Sequence, residues 1–137
     1  MEKGILDTNA LVLLGRITDT NALPDEPLIT AITLAELSVG PLVATDERAR
    51  ANRQTLLQAT EASFDPLPFN TAAARAFGSV ASSLRQSGRT PAARAYDALI
   101  AAIAISNDLP IHTCSPRDFS GIEGLHVIPI PHPDSAD

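Results

Sequence analysis

The sequence predicts an α/β fold in which helices cover both faces of a short, mainly parallel sheet. Apolar runs of strand length alternate along the chain with longer segments of helical periodicity. Small polar residues follow directly after the apolar runs, as Asp7, Thr8 and Asn9 follow Ile5 and Leu6. Residues 98–105 are apolar nearly all round, which is typical of a helix buried on most sides. Strands and helices in this alternating order favour a parallel sheet.

The strands are predicted from short apolar runs bounded by polar or proline-rich segments. Ile5 and Leu6 end the first strand, and the later candidates are residues 28–31, 110–113 and 127–130. Residues 64–69 contain two prolines, which suggests an extended edge or a short strand. Residues 19–27 are polar, also contain two prolines, and are predicted to form a loop.

The helices are predicted from apolar periodicity and from capping residues. The expected segments are residues 9–16, a helix that begins after Thr33, and residues 46–62, 72–86 and 92–107. Thr33 and Glu36 have the spacing of a capping box. Gly40 and Pro41 are expected to break or kink that helix, and residues 87–91 to form a turn. Three arginines, Arg48, Arg50 and Arg53, are expected on a solvated helix face.

The length and composition are those of one globular domain. The chain has 137 residues, of which 45% are hydrophobic and 19% charged, and we expect a single domain over residues 1–130 with a frayed tail over 131–137. The single cysteine, Cys114, excludes an internal disulfide. No apolar run is long enough to span a membrane and the first residues lack a signal-peptide pattern, so a cytoplasmic protein is expected.

The net charge of −6 argues against non-specific binding of nucleic acid, which normally requires a basic surface. This argument does not hold for a protein whose acids bind a metal ion. If several acids converge on one metal ion, their charge is partly neutralised there, and a few local arginines still hold a phosphate backbone.

Four acids occupy equivalent places in the predicted fold. Asp7 follows the first strand, Glu36 lies on the helix after the second, Asp97 lies in the first turn of the apolar helix, and Asp118 follows the third strand, with Ser115 as its polar neighbour. In a parallel sheet all these places lie along the carboxyl edge, where binding sites are found.

Three of these acids also have a purely structural explanation. Asp7 or Thr8 is a suitable helix cap, Glu36 is suitably spaced to accept a hydrogen bond from the Thr33 amide, and Asp97 complements the helix dipole. For Asp97 the structural explanation is weaker, because acids are rarely buried unless they are paired or bind a metal.

Carboxylates crowded together repel one another and take up protons unless a divalent cation offsets the repulsion. Mg²⁺ is the natural ion, with Mn²⁺ as a substitute, because both prefer oxygen ligands. Such an ion activates a water molecule and orients a phosphodiester for in-line displacement.

Four short blocks resemble the signature motifs of PIN-domain ribonucleases, and the chain is most similar to VapC-type toxins of bacterial toxin–antitoxin pairs. The blocks are Ile5-Leu6-Asp7-Thr8-Asn9, Thr33-Leu34-Ala35-Glu36-Leu37, Tyr96-Asp97-Ala98-Leu99-Ile100-Ala101-Ala102 and Thr113-Cys114-Ser115-Pro116-Arg117-Asp118-Phe119. They occur in the family's order and span essentially the whole chain.

The resemblance implies a PIN-like three-layer sandwich whose sheet has about four to five strands. It also implies a Mg²⁺-dependent endoribonuclease, usually a homodimer, inhibited by a cognate VapB-like antitoxin. The family's metal-binding acids correspond to Asp7, Glu36 and Asp97, with Thr8 and Asn9 in support. Ser115 stands where the family often has Asn or Asp, which leaves Asp118 to act directly or through water. Arg94 and Arg117 are candidate RNA contacts, and Arg94 is alternatively a partner for an acid in the free protein.

Two other functions are compatible with the residues. Asp7 is a possible nucleophile of a phosphatase-like fold, although Asn9 stands where a second Asp is needed. The acids are alternatively all caps, in a PIN-like module that binds without catalysis. The three histidines, His112, His126 and His132, show no metal-ligand spacing, and Cys114 has no obvious base.

Overall fold

The computed structural model describes residues 1–90 and 94–135. Within these ranges four strands form one parallel sheet: β1 (Lys3–Leu6), β2 (Glu26–Leu28), β3 (Ile111–Thr113) and β4 (Val127–Pro129). The strand order is β2-β1-β3-β4, and all three pairings are parallel. The predicted α/β architecture with a short parallel sheet is therefore confirmed.

Five α-helices complete the described fold. They are α1 (Thr8–Leu13), α2 (Ala31–Val43), α3 (Glu47–Ser63), α4 (Thr71–Gln86) and α5 (Ala95–Ser106). None of them is both long and apolar enough to cross a membrane. Short 3₁₀ turns follow α1, precede β2 and follow β3.

The two faces of the sheet are covered by different helices. Side chains alternate along a strand, so the neighbours Ile5 and Leu6 enter opposite layers. Ile5 belongs to a core built mainly from α4 and α5, whereas Leu6 belongs to a core that includes residues of α1 and α2. Both side chains are fully buried. The result is a three-layer sandwich with β1 at its centre.

The second strand is earlier in the chain than the sequence predicted. Residues 28–31 were the expected strand and 19–27 the expected loop, but β2 comprises Glu26–Leu28 and a 3₁₀ turn forms at Thr20–Ala22. Pro27 is tolerated because β2 is an edge strand, and the Glu26 amide supplies a bond to the Glu2 carbonyl at 2.9 Å. Residues 64–69 are extended, as predicted, and contribute one parallel bridge between Leu67 and Thr30.

The prediction that Thr33 caps α2 was wrong. The cap is Thr30, whose hydroxyl accepts a hydrogen bond from the Thr33 amide at 3.3 Å. Because β2 ends at Leu28, the helix starts three residues earlier than expected. Glu36 therefore lies in the second turn, and its carboxylate is free of the capping-box role.

Gly40 and Pro41 do not break α2, which runs through both residues to Val43. Pro41 lies in the last turn, where its lack of an amide N–H removes the intrahelical hydrogen bond to the Leu37 carbonyl. The Gly40 carbonyl near this end accepts a hydrogen bond from Arg53 Nη1 at 2.9 Å. Arg53 is thus partly used in packing α3 against α2, whereas Arg50 pairs with Glu47 on the exposed face.

Three of the predicted segments extend beyond the described residues. Pro91 of the predicted turn, Ala92 and Ala93 of the predicted last helix, and Ala136 and Asp137 of the tail lie outside them. The described part of the last helix begins at Ala95, with Arg94 in the N-cap position. In the tail, the Ser135 amide donates to the His132 carbonyl at 2.9 Å, and Asp134 pairs with Arg16.

Gly4 in the central strand is required by a close approach of the His112 ring. A Cβ atom at residue 4 would lie 2.4 Å from both Cδ2 and Nε2 of His112. The ring cannot easily withdraw, because His112 is buried and its Nδ1 is 3.0 Å from the Ala22 carbonyl oxygen.

We therefore expect Gly4→Ala to lower the free energy of unfolding by about 1 to 3 kcal/mol, the usual cost of overpacking a core. Equilibrium unfolding in urea measures the change. Gly15→Ala is the control, because a Cβ at residue 15 meets no atom within 4 Å. Equal stability of the Gly4→Ala variant and the parent would contradict the close approach.

Candidate active site

Asp7 lies at the carboxyl end of β1 and is only 2% exposed. One carboxylate oxygen, Oδ1, accepts a hydrogen bond from the Ala10 amide at 3.0 Å and so caps α1. The other, Oδ2, accepts a hydrogen bond from the Thr113 hydroxyl at 2.7 Å. Asp7 therefore caps α1, but only through Oδ1. Its other oxygen, Oδ2, has a separate partner at the end of β3.

Thr113 is a site residue that sequence reasoning did not single out. It ends β3, is fully buried, and its hydroxyl also accepts a hydrogen bond from the Ser115 amide at 2.9 Å. One side chain therefore orients both Asp7 and the turn that carries Ser115. The available signal was a hydroxyl residue at the end of an apolar strand beside the strand that carries the acid.

Glu36 is held by the residue that follows Asp7. Thr8 Oγ1 donates a hydrogen bond to Glu36 Oε1 at 2.7 Å, and the Thr8 and Thr33 hydroxyl oxygens are 3.0 Å apart. The resemblance implied that Thr8 supports Asp7, whereas in the structure the Thr8 hydroxyl contacts Glu36. This bond ties α2 to the start of α1.

Asp97 lies in the first turn of α5, as predicted. Its pKa is raised to about 6, chiefly because burial disfavours the charged carboxylate, and further because Asp118, Asp7 and Glu36 repel it. Arg94 opposes these effects. Such a large upward displacement marks a carboxylate held among like charges without a full complement of hydrogen-bond donors.

The pKa of Asp7 is also raised, first by burial and then by the charges of Asp118 and Glu36, against the opposing hydrogen bonds from Thr113 and Ala10. Glu36, Asp97 and Asp118 line one cleft, and Asp7 lies at the carboxyl end of β1. The structure therefore groups these acids at the carboxyl edge of the sheet.

Three of the acids, Glu36, Asp97 and Asp118, line an open cleft of about 540 Å³. Its lining consists of Asn9, Glu36, Arg94, Ala95, Tyr96, Asp97 and Asp118. Arg94 enters it as the partner of Asp118, with Nη1 2.7 Å from Oδ1. Of the two predictions for Arg94, the pairing with an acid is the one seen here. Tyr96 is 60% exposed and stands at the rim.

Two further predicted site residues, Ser115 and Arg117, are not among the side-chain partners of the acids described above. Ser115 is half-buried and takes part through its backbone amide, and Arg117 is exposed at the start of a short 3₁₀ turn. Cys114 is a free thiol that packs against the core beneath α1 and α2. His112 is used in packing against the Ala22 carbonyl, away from the acids.

The donor set at this edge fits a hard divalent cation. Carboxylate and amide oxygens are the ligands that Mg²⁺ and Mn²⁺ prefer, and a cation would relieve the repulsion that raises the pKa values of Asp7 and Asp97. Over residues 1–90 and 94–135, no three acidic, histidine or cysteine side chains are arranged so that they could hold a metal ion. Three of the carboxylates accept hydrogen bonds from protein donors: Asp7 from Thr113, Glu36 from Thr8 and Asp118 from Arg94.

Comparison with known proteins gives the same family from sequence and from structure. Residues 5–122 match the model of the PIN domain. Ribonuclease VapC5 of Mycobacterium tuberculosis is 36% identical over 129 residues, which is 93% of each chain. Ribonuclease VapC of Rickettsia bellii is 32% identical over 133 residues, covering 95% of this chain and 98% of its own.

A solved structure of VapBC-5, a member of the VapBC family of toxin-antitoxin systems from Mycobacterium tuberculosis, superimposes with a TM-score of 0.80. The alignment covers 95% of this chain and 100% of that one at 33% identity.

The raised pKa of Asp97 predicts an unusual effect of Asp97→Asn on stability in metal-free buffer. In the unfolded chain the carboxyl group ionises near 3.8, and in the folded protein near 6. Its protonated form therefore supports folding at low pH, and that support is lost as pH rises through about 6. At pH 7.5 in EDTA we expect Asp97→Asn to be more stable than the parent by about 1 kcal/mol, discounted for solvent screening of a partly exposed group.

Urea unfolding at pH 7.5 and at pH 4 measures this difference, which should shrink toward zero at the lower pH. Asp65→Asn removes the same charge from an exposed loop position and is the control. An Asp97→Asn variant less stable than the parent at pH 7.5 would show that the carboxylate stabilises the fold.

Proposed function

The chain belongs to the PIN domain family, and we propose on that basis that it is a Mg²⁺-dependent endoribonuclease, the toxin of a VapBC-like toxin–antitoxin pair. The observation that carries this proposal is an open cleft lined by Glu36, Asp97 and Asp118, with the buried Asp7 repelling Asp97 from the end of β1. Relatives named ribonucleases that match almost their whole length support RNA as the substrate. Which RNA is cut is left to experiment.

We assign the metal to Asp7, Glu36 and Asp97, with Asp118 acting through water. Bound there, the cation would lower the pKa of a water molecule and polarise the scissile phosphodiester. Thr113 and Thr8 fix the orientations of Asp7 and Glu36 through hydrogen bonds of 2.7 Å each. Asn9 adds an amide to the cleft wall, and Ser115 completes the turn that carries Asp118.

RNA recognition is assigned to a few local residues, because the chain carries a net charge of −6. Arg94 and Arg117 are the proposed phosphate contacts, since a guanidinium pairs with phosphate oxygens through two parallel hydrogen bonds. The exposed ring of Tyr96 at the rim is placed to stack on an unpaired base. Single-stranded or loop RNA is therefore the expected substrate.

The proposed partner is a VapB-like antitoxin, since the superimposed structure is that of a VapBC toxin-antitoxin system. A second, mainly apolar cleft of about 280 Å³ lies beside Glu36 and would receive an apolar stretch of such a partner. Val39, Leu42 and Val43, in the second half of α2, are also exposed apolar side chains. A homodimer is proposed from the family resemblance, with the outer faces of α4 and α5 as candidate surfaces.

Cleavage of total cellular RNA by purified, antitoxin-free protein tests the proposal. We expect discrete fragments with Mg²⁺ or Mn²⁺ and none with EDTA. Asp97→Asn should reduce cleavage at least 100-fold, because removal of a carboxylate that holds a catalytic ion removes most of the electrostatic stabilisation. Intact RNA after incubation of folded protein with either metal would instead favour a catalytically silent PIN-like binding module.

The role assigned to Thr113 predicts a graded loss of cleavage. Thr113→Val removes the hydroxyl that orients Asp7 while it keeps the side-chain volume, and we expect a 10- to 100-fold loss, about the effect of losing an outer-shell partner. Thr113→Ser retains the hydroxyl and should retain most of the rate. Cleavage rates at saturating Mg²⁺ measure the difference, and equal rates for Val and Ser variants would contradict the assigned role.

A further inference from the structure

Arg94 is the only basic residue among those that line the cleft in the described part of the chain. It pairs with Asp118 across 24 residues of sequence, and the two side chains are 36% and 29% exposed. Its charge also lowers the pKa of Asp97, one helical turn further along. The guanidinium therefore neutralises part of an acidic cluster from inside the cleft.

Among residues 1–90 and 94–135, the Arg94 side chain makes one hydrogen bond, the one to Asp118. The residue occupies the N-cap position of α5, with φ −118° and ψ 29°, but its side chain makes no capping hydrogen bond. Reorientation of the guanidinium would break the contact with Asp118 without breaking a backbone hydrogen bond of α5. A partly exposed ion pair of this kind is worth little in water, so a competing charge can displace it.

A divalent cation among the four acids competes for the same negative charge. The guanidinium and the ion would repel each other, and the carboxylate of Asp118 cannot fully serve both. A guanidinium released from a carboxylate finds equivalent geometry in a phosphate, because both anions accept two parallel N–H donors. The cleft that holds Arg94 is the one in which the RNA phosphate is proposed to lie.

We propose that Arg94 is a resident counter-ion of Asp118 that a divalent cation displaces, and that the released guanidinium then binds a phosphate of the RNA. This inference rests on the proposed function for the metal and the RNA. Arg94 thus has two successive partners. Before the cation binds, Arg94 pairs with Asp118; after the cation has bound, it contacts a phosphate of the RNA.

The first test is the affinity for Mn²⁺ without RNA, measured by isothermal titration calorimetry. Arg94→Gln removes the competitor, and we expect Mn²⁺ to bind about fivefold more tightly, the effect of removing one partly exposed ion pair. Arg117→Gln is the matched control, because it removes the same charge beside Asp118 from an exposed side chain. We expect it to change the affinity less than twofold.

A double-mutant cycle separates the ion pair from the general loss of positive charge. In an Asp118→Asn background, Arg94→Gln should change the Mn²⁺ affinity by less than twofold, because the competing pair is already broken. An equal gain in both backgrounds, no gain in either, or weaker Mn²⁺ binding by Arg94→Gln would overturn the inference. If the unsubstituted protein binds no Mn²⁺, the metal assignment fails as well, which distinguishes the two failures.

The second partner is tested with a fluorescent, phosphorothioate-linked uridine dodecamer in an anisotropy titration. With Mn²⁺ we expect Arg94→Gln to bind this probe at least fivefold more weakly than the parent, and with EDTA to differ less than twofold. The metal dependence of the defect is the distinguishing readout, since a simple phosphate contact would weaken binding equally in both buffers. Equal defects with and without Mn²⁺ would overturn the exchange.

Discussion

The hydrogen bond between Thr113 and Asp7 is the contact on which the acidic edge of the sheet depends. It joins the ends of two neighbouring central strands, β1 and β3, and it is buried. The same Asp7 carboxylate accepts the Ala10 amide, so one side chain fixes the start of α1 and the position of the first acid. A buried carboxylate without such donors would be protonated or expelled, because a desolvated charge is costly. The placement of α1, of Thr8 and through it of Glu36 follows from this one arrangement.

The edge is electrostatically unfavourable. Burial and mutual repulsion raise the pKa values of Asp7 and Asp97; hydrogen bonds from Thr113 and Ala10 oppose the shift of Asp7, and the charge of Arg94 opposes that of Asp97. The three-layer sandwich supports this arrangement through two hydrophobic cores, one on each face of β1. Each acid is preceded or followed in the chain by a residue of one of these cores, so burial of the apolar neighbour holds the acid at the edge of the sheet.

Most of the fold and the identity of the acids could be predicted from the sequence. Alternating apolar runs and helical segments are strong signals, and Asp7, Asp97 and Asp118 were noticed because acids interrupt or follow apolar segments. The start of α2 was misplaced because Thr30 and Thr33 are both suitable caps, and only the end of β2 at Leu28 decides between them. Thr113 was missed because its role arises from the pairing of β1 with β3, which no local pattern encodes. For Arg94 the sequence left two partners open, an acid of the protein or a phosphate of RNA. The position of Arg94 in the sequence does not decide between them, because a guanidinium pairs with both groups.

The pairing of β1 with β3 also fixes when the cleft is completed during synthesis. Asp7 and Thr113 are 106 residues apart in the sequence, although their side chains touch. A nascent chain that has emerged only as far as α5 carries Asp7, Glu36 and Asp97 but lacks β3 and with it the Thr113 hydroxyl that orients Asp7. The acidic edge is therefore assembled only after four-fifths of the chain has been made, and a chain released early lacks Asp118 together with its partner contact to Arg94.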